Sequence, residues 1–544
     1  MRAPGGAADA PAAHGAAPGA RAGGPTPPSP GGRWSWPEGL AWGALLLVAL
    51  ALAAAYWGDT YDDAFITYRY AERWADTGRL DYDDGSPPVY GTTAPGYALL
   101  LGLLARLSDG WGPGVAGWGT LLGFAAALVP GWELRRHLAA APPGARRWVP
   151  PLASLAFLTC RWTVEMAGGE TLPVLALVAL GMGRLFRGRQ LGAGLLLGLA
   201  VVLRPDAALA VGAAAAAHLV DHRRVPWRLL AAAATPAAAH TAFLLAWFGR
   251  LLPGTLAAKA GETVWAAGYG AAEGAWLVRT LGPAGTAALA VLAAAGVAAG
   301  GARWLRRPAA RAAVAWVLAL ELAYRLLGVP FAPWYHVATV ALLTALAAAG
   351  AWWVAHLVAR RIPGAERGGG VLEAALAVAL LLPVVAPSLL YLARQGTAPP
   401  DPRQPLYQAV GTWLAHHSAP GDAVAAVEIG ALGYASRRPV LDLMGLVSPR
   451  ALAARAAGSL GDLVAAEKPR FLVDVPRLRP LGLGEVLAHP GVRGAYRLRA
   501  TFRHPAFGGP PVRLLERAPA PSNAPFHGVQ RRVPPAVPKT AGPG

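Results

Sequence analysis

The stretch GDTYDDAFITYRYAERWADTG occupies residues 58–78, directly after the first long apolar run of the chain, Leu40–Trp57. That run is long enough to span a bilayer and lacks a convincing cleavage site, so it reads as a retained transmembrane helix rather than a signal peptide. Two adjacent carboxylates, Asp62 and Asp63, then open an aromatic segment with helical spacing. On such a helix Asp62, Ile66, Arg69 and Arg73 share one face, and Asp63, Thr67, Tyr70 and Trp74 another. An Asp at a helix start is ordinarily a cap, worth about 1 kcal/mol. A carboxylate near a guanidinium at a membrane surface can also take a proton from a hydroxyl, or hold a cation, while the arginine faces a phosphate.

Composition sets the surroundings of this stretch. Of 544 residues, 55% are hydrophobic and 15% charged, with a mean hydropathy of +0.38. This is too apolar for an ordinary soluble domain and predicts a polytopic α-helical membrane protein. The formal charge of +19 does not mark a nucleic-acid surface, because the basic residues fall in short clusters between apolar runs. The clusters at 135–147, 184–189, 223–228, 303–311 and 360–367 are expected on the cytoplasmic side, as is the Arg-bearing N-terminus. The acidic segment 58–93 is expected outside. A single cysteine, Cys160, excludes a disulfide framework and a Cys-based metal site.

Parity then constrains the topology. With 58–93 outside and Arg135 and Arg136 inside, an odd number of crossings lies between them. The run 96–107 has about a dozen residues, too few for a span of about 20. It is expected to be interfacial or half-inserted, leaving 113–131 as the second span. Further spans are expected near 149–165, 171–186, 190–204, 206–220, 229–248, 281–300, 312–329, 337–357 and 371–393. The total is about 11, with the C-terminus outside. The pair 190–204 and 206–220 is short and must tilt, thin the bilayer or turn below the surface. No inverted repeat relates the halves.

The resulting organisation is a disordered cytoplasmic N-terminus (1–36), a transmembrane domain (37–395), an extracytoplasmic α/β domain (396–516) and a Pro-rich tail (517–544). Residues 58–112 form the first extracytoplasmic loop. Within the α/β domain, QPLYQAVGTWLAHH has helical periodicity, DAVAAVE and RFLVDV read as buried strands, and Ser459 with Asp462 suggests a capping box.

Five stretches, in order, carry a resemblance. They are DDAFITYRYAERWADTGRL with VYGTTAPGYALLLGLLARL (62–107), GGETLPVLALVALG (168–181), GLLLGLAVVLRPDAAL (194–209), WFGRLLPGTLAAKAG (247–261) and EIGALGYASRRPVLDLMGLVSP (428–449). Together they resemble the bacterial GT-C glycosyltransferases, over roughly residues 40–480. The nearest branch contains the terminal arabinofuranosyltransferase-like proteins. Protein mannosyltransferases and the aminoarabinose transferase of lipid A are more distantly similar.

The resemblance implies a multi-pass enzyme of the bacterial plasma membrane. It would move a sugar from a polyprenyl-phosphate donor to a cell-envelope glycan, lipid or protein acceptor on the outer face. Asp62 corresponds to the family's catalytic-base carboxylate and Asp63 to its acidic neighbour. An inverting transfer needs a base on the acceptor side and charge stabilisation at the departing phosphate. The pair is also the candidate site for a divalent cation (Mg, Mn or Ca).

Substrate contacts are expected from Arg69, Tyr70, Glu170, Arg204, Lys259, Arg325, Trp334, Tyr335 and His336. Each has a plainer reading beside the functional one. Lys259 could be an interfacial lysine. Arg204 could belong to a helical hairpin with Asp206 as N-cap. Glu321 and Arg325 could simply neutralise each other inside a span, with Arg325 about 6 Å below the outer helix end. Trp334, Tyr335 and His336 could be an aromatic belt. Glu170 could be a helix N-terminal charge. Gly430, Gly433 and Asp442 read as structural.

Two departures bear on the substrate. Gly254 stands where the family usually has Asn, and residues 90–97 read YGTTAPGY rather than the family's aromatic-rich loop. Arabinose is therefore not carried over. The competing class is a transporter or flippase of lipid-linked glycans; a third reading is a catalytically inactive scaffold. The acidic outer loop, the outer domain and the lack of repeats count against the transporter.

Overall fold

The computed structural model describes residues 36–84, 88–109, 111–138, 141–254, 269–329, 331–363, 370–395, 401, 403–504, 507 and 509–518. The membrane part runs α1 (Trp36–Ala55), α2 (Asp62–Thr77), α3 (Pro95–Leu107), α4 (Val115–His137), α5 (Pro143–Leu158), α6 (Arg161–Met166) and α7 (Thr171–Leu185). It continues through α8 (Gln190–Leu203), α9 (Ala208–His222), α10 (Trp227–Phe248), α11 (Tyr269–Leu305), α12 (Pro308–Leu326), α13 (Val337–Ala359) and α14 (Val371–Gln395).

Among the described residues, six helical stretches are long and apolar enough to cross a membrane. They are Trp36–Ala55, Val115–His137, Trp227–Phe248, Ala272–Gly300, Pro333–Ala359 and Val371–Arg394. Of the other expected spans, α12 has 19 residues but carries Arg311, Glu321 and Arg325, and the rest are shorter. α7, α8 and α9 have 15, 14 and 15 residues, or about 21–23 Å of rise against a hydrocarbon core of about 30 Å. The run expected as one span at 149–165 is broken, because α5 stops at Leu158 and α6 starts at Arg161. α3 has 13 residues and packs along α2, where a Cβ on Gly102 would sit 2.6 Å from the Ala71 carbonyl.

Small residues bring the longer helices together. A side chain on Gly194 or Gly198 of α8 would overlap the Leu229 and Ala233 carbonyls of α10. Gly296 of α11 and Gly350 of α13 are wedged reciprocally, each against the other helix's backbone. In lipid, where burial of apolar surface gives little drive, such backbone approach is how helices gain contact.

The C-terminal part is a separate α/β layer. α15 (Arg403–His417), β1 (Val424–Ala426), α16 (Gly430–Ser436), β2 (Val440–Asp442), α17 (Pro449–Ala456), α18 (Leu460–Glu467) and β3 (Phe471–Asp474) are followed by α19 (Leu483–Ala488), α20 (Pro490–Arg493), β4 (Tyr496–Phe502) and β5 (Val512–Arg517). The sheet order is β2-β1-β3-β5-β4. β1 pairs in parallel with β2 and β3, the helical crossovers lying between them, while β5 runs antiparallel to β3 and β4. β1 and β3 are buried throughout, as continuous apolar runs in a covered sheet must be. Ser459 is the N-cap of α18, but its hydroxyl donates to Ala454 O and no capping box forms.

Candidate active site

The two domains meet on α2. Its N-cap is Tyr61, which makes no side-chain cap, and Asp62 does not cap α2. Asp62 is 2% exposed and points into the N-terminus of α16. Its Oδ1 accepts the Ala431 amide at 2.9 Å, and a Cβ on Gly430 would lie 2.6 Å from Oδ2. Asp62 therefore caps a helix of the other domain. Its own amide donates to Asp401 Oδ2 at 3.2 Å, and Arg403 binds Asp401 at 2.7 Å and Glu428 at 3.3 Å. Burial, and then the Glu428 carboxylate, push the Asp62 carboxyl well above the usual carboxylate range, with Arg403 opposing.

In this structure Asp62 Oδ1 is taken by the Ala431 amide and the carboxylate is buried against α16, where the sequence suggested an open carboxylate. The Asp62 and Asp63 side chains leave α2 on different faces, and Asp62 Oδ1 already accepts the Ala431 amide. Among the described residues, the set of three that brings potential ligand atoms within 4.8 Å of one another is Glu273, Glu321 and His336.

Arg69 is buried, and its guanidinium is engaged away from Asp62. Its guanidinium donates to Tyr82 O at 2.7 Å, to Arg438 O at 2.8 Å, and to Gly433 O and Asp83 Oδ1. With four donated bonds to protein, Arg69 is a strut between the first loop and α16. Tyr70 is likewise structural, its hydroxyl donating to Val89 O at 2.5 Å and accepting the Gly91 amide at 3.1 Å.

Asp63 is half-buried on the other face of α2. That face looks toward residues 89–97, where the Thr67 and Thr92 hydroxyls lie 2.8 Å apart. Tyr90 O accepts the Gly254 amide at 2.8 Å, so the described part of the 247–261 stretch ends beside it. Lys259 itself lies outside the described residues. Burial, then the Glu170 carboxylate, and more weakly that of Asp63, hold the Tyr61 phenol well above its usual pKa, with Arg204 opposing.

Glu170 and Arg204 join in a buried network. Arg204 Nη1 donates to Glu170 at 2.7 Å, its Nε to Asp206 at 2.9 Å, and its Nη2 to the Tyr324 hydroxyl at 3.3 Å. The Asp206 carboxylate thus serves Arg204 and Tyr324. Tyr335 lies under the Arg204 guanidinium and against Tyr324, with ring centroids 4.3 Å apart in the second contact. Trp334 stacks on Tyr61 at 5.0 Å. The turn before Glu170 is fixed by Gly168, whose φ of +108° suits glycine and whose carbonyl accepts both Tyr68 and Tyr97 hydroxyls, at 3.0 and 2.8 Å.

A second charged group lies beside this network. His336 is fully buried, with Nδ1 2.8 Å from Glu321 and 3.4 Å from Glu273. It packs against Phe331 and Trp162 and is no part of an exposed aromatic belt. Arg325 bridges the same carboxylates, at 2.7 Å to Glu273 and 3.2 Å to Glu321, with 41% of its side chain exposed. α12 ends at Leu326, so Arg325 lies in the last turn rather than about 6 Å below the helix end.

Of the expected site residues, Glu170, Arg204, Trp334 and Tyr335 come together, with Asp63 near them. Sequence reading passed over Tyr61, Tyr324, Glu273, Asp401, Arg403 and Glu428. A lone Glu273 at the mouth of a long apolar helix was the one visible signal among them.

Residues 397–519 match a family described as "Domain of unknown function (DUF8728)". No curated protein sequence matches the chain. Among solved structures, ArnT from Cupriavidus metallidurans bound to undecaprenyl phosphate is 13% identical, covers 87% of this chain and 97% of its own, and superposes with a TM-score of 0.52. Its apo state gives 13%, 88%, 98% and 0.56. The archaeal oligosaccharyltransferase AglB from Archaeoglobus fulgidus, in complex with an inhibitory peptide and a dolichol-phosphate, is 13% identical with a TM-score of 0.51, over 90% of this chain and 76% of its own. The chain has the fold expected from its sequence, a helical membrane bundle of the GT-C type carrying a C-terminal α/β domain.

Proposed function

We propose that the chain is a membrane glycosyltransferase. It moves a sugar from a polyprenyl-phosphate donor to a cell-envelope glycan, lipid or protein acceptor at the outer face of the bacterial plasma membrane. The observation that carries this reading is convergence: stretches near residues 62–97, 168–171, 204–206, 250–254 and 428–447 all meet around α2. A structure packed only for stability has no need to gather them at one end. The ligands in the related structures, undecaprenyl phosphate and a dolichol-phosphate, share the chemistry of the proposed donor.

Asp63 is the base of this mechanism. It takes the proton of the acceptor hydroxyl as that oxygen bonds to the sugar's anomeric carbon. The bond from that carbon to the phosphate oxygen breaks, and the lipid phosphate leaves with the electron pair. Arg325, exposed at its helix end, faces the developing charge. Tyr61 stacked on Trp334 gives the sugar an aromatic floor, and Arg204 holds Glu170, Tyr324 and Tyr335 in place. Asp62 binds α16 to α2.

The test uses proteoliposomes and a panel of radiolabelled polyprenyl-phosphate sugars. Transfer of label to an envelope acceptor, lost in Asp63→Asn, is expected. Movement of labelled lipid across the bilayer without transfer would overturn the reading in favour of a flippase.

A further inference from the structure

A cleft of about 420 Å³ opens in the bundle far from α2. Its walls are apolar and include Phe157, Leu175, Val178, Ala313, Val317 and Leu342, from α5, α7, α12 and α13. Its volume falls in the range of about 300–1,000 Å³ typical of small-ligand sites. Its mouth is polar, with His137 at the end of α4 and Arg307 just before α12. Arg307 and Arg325 stand 18 residues apart along that helix, about 27 Å, so the mouth is at the end opposite the candidate active site.

Three features of the cleft point to an occupant. Among the described residues, the Arg307 side chain has no hydrogen bond or ion pair. The remaining charge in the lining, Glu133, is already held by Arg136 at 2.6 Å and Arg187 at 2.8 Å, so the mouth carries net positive charge. Two buried donors on the walls, Ser154 Oγ and Trp316 Nε1, have no hydrogen-bond partner. Ser154 lies beside Gly131, where any side chain would overlap its hydroxyl, and Gly131 is six residues, about 9 Å, further in than His137. Leaving a donor buried and unmade is costly, which favours an occupant with an acceptor oxygen at that depth.

We propose that this cleft holds one acyl chain of an anionic phospholipid, with its phosphate at Arg307 and an ester carbonyl at Ser154. The charge selects the head: a zwitterionic lipid would bring an ammonium into a basic mouth, an anionic one would not. The clustering of arginines at this end of the bundle, in Arg135, Arg136, Arg187, Arg306 and Arg307, suits the negatively charged surface of a leaflet.

The test is native mass spectrometry of the full chain in detergent, after incubation with phosphatidylglycerol or phosphatidylcholine of identical acyl chains. One tightly retained phosphatidylglycerol per chain is expected, favoured over phosphatidylcholine by about tenfold. Arg307→Gln should abolish that preference, whereas Arg361→Gln, on a neighbouring basic loop, should leave it intact. Ala313→Phe, which fills the cleft, should expel the retained lipid. The proposal is overturned by equal retention of both lipids, by an equal effect of Arg361→Gln, or by undiminished retention in Ala313→Phe. Because Arg307→Gln leaves the walls untouched, it decides the question even if the cleft-filling variant does not fold.

Discussion

Asp62 and Asp63 are neighbours in sequence, yet the fold gives them different work, and conservative substitution separates the two. Asp63→Asn keeps size and polarity but cannot take a proton. General-base catalysis contributes roughly 10²–10⁴-fold, so this variant should lose that factor in turnover, about 3–5 kcal/mol of barrier. Donor affinity and thermal stability should change little. Asp62→Asn keeps an oxygen for the Ala431 amide, so it should fold and turn over. The sign with pH follows from burial. A carboxyl whose folded pKa is raised favours folding while protonated, below about pH 4, and loses that contribution as pH rises through the folded value. Asn copies the protonated form. Asp62→Asn should therefore cost no stability at alkaline pH, whereas Asp62→Ala, which orphans the amide, should cost about 1–3 kcal/mol. Single-turnover transfer at saturating donor, with thermal unfolding of the same preparations at two pH values, reads all of this. A folded Asp62→Asn that is inactive, beside an active Asp63→Asn, would refute the assignment.

Three further outcomes follow from the same geometry. Gly430→Ala drives a Cβ into the Asp62 carbonyl and should cost about 1–3 kcal/mol, read as earlier thermal release or proteolysis of the C-terminal domain. Arg204→Met strands the Glu170 and Asp206 carboxylates and should destabilise by about 3–5 kcal/mol, with part restored by adding Glu170→Gln in a double-mutant cycle. Trp334→Ala removes the stack on Tyr61, worth about 0.5–1.5 kcal/mol, and should raise the donor KM roughly two- to tenfold with turnover largely kept.

The apolar runs were legible because helices in lipid must close every backbone hydrogen bond locally, and the run at 190–204 becomes α8 at Gln190–Leu203. The strands at Val424–Ala426 and Phe471–Asp474 were legible for a similar reason, as short buried apolar runs. The partners of Arg69 were not legible, because Gly433 O and Arg438 O are backbone carbonyls of the other domain and no local pattern announces a carbonyl. The bond from Asp62 to α16 was not legible, because helical spacing fixes which face a side chain occupies but not what that face meets. Arg204 was visible as a charge at a turn between two short spans. Its partners Glu170 and Tyr324 lie 34 and 120 residues away, beyond any sequence periodicity.

The bond from Asp62 to Ala431 joins residues 369 positions apart. A ribosome adding about 5–20 residues per second needs roughly 20 to 70 seconds to travel that distance. Through that interval α2 exists with Asp62 and Arg69 already made, while the helix that receives them has not been synthesised. Arg69 can engage Asp83 and the Tyr82 carbonyl early, but its bonds to Gly433 and Arg438 must wait. The first loop therefore matures last, and a nascent chain stalled before residue 430 would present that loop unfinished to proteases and chaperones.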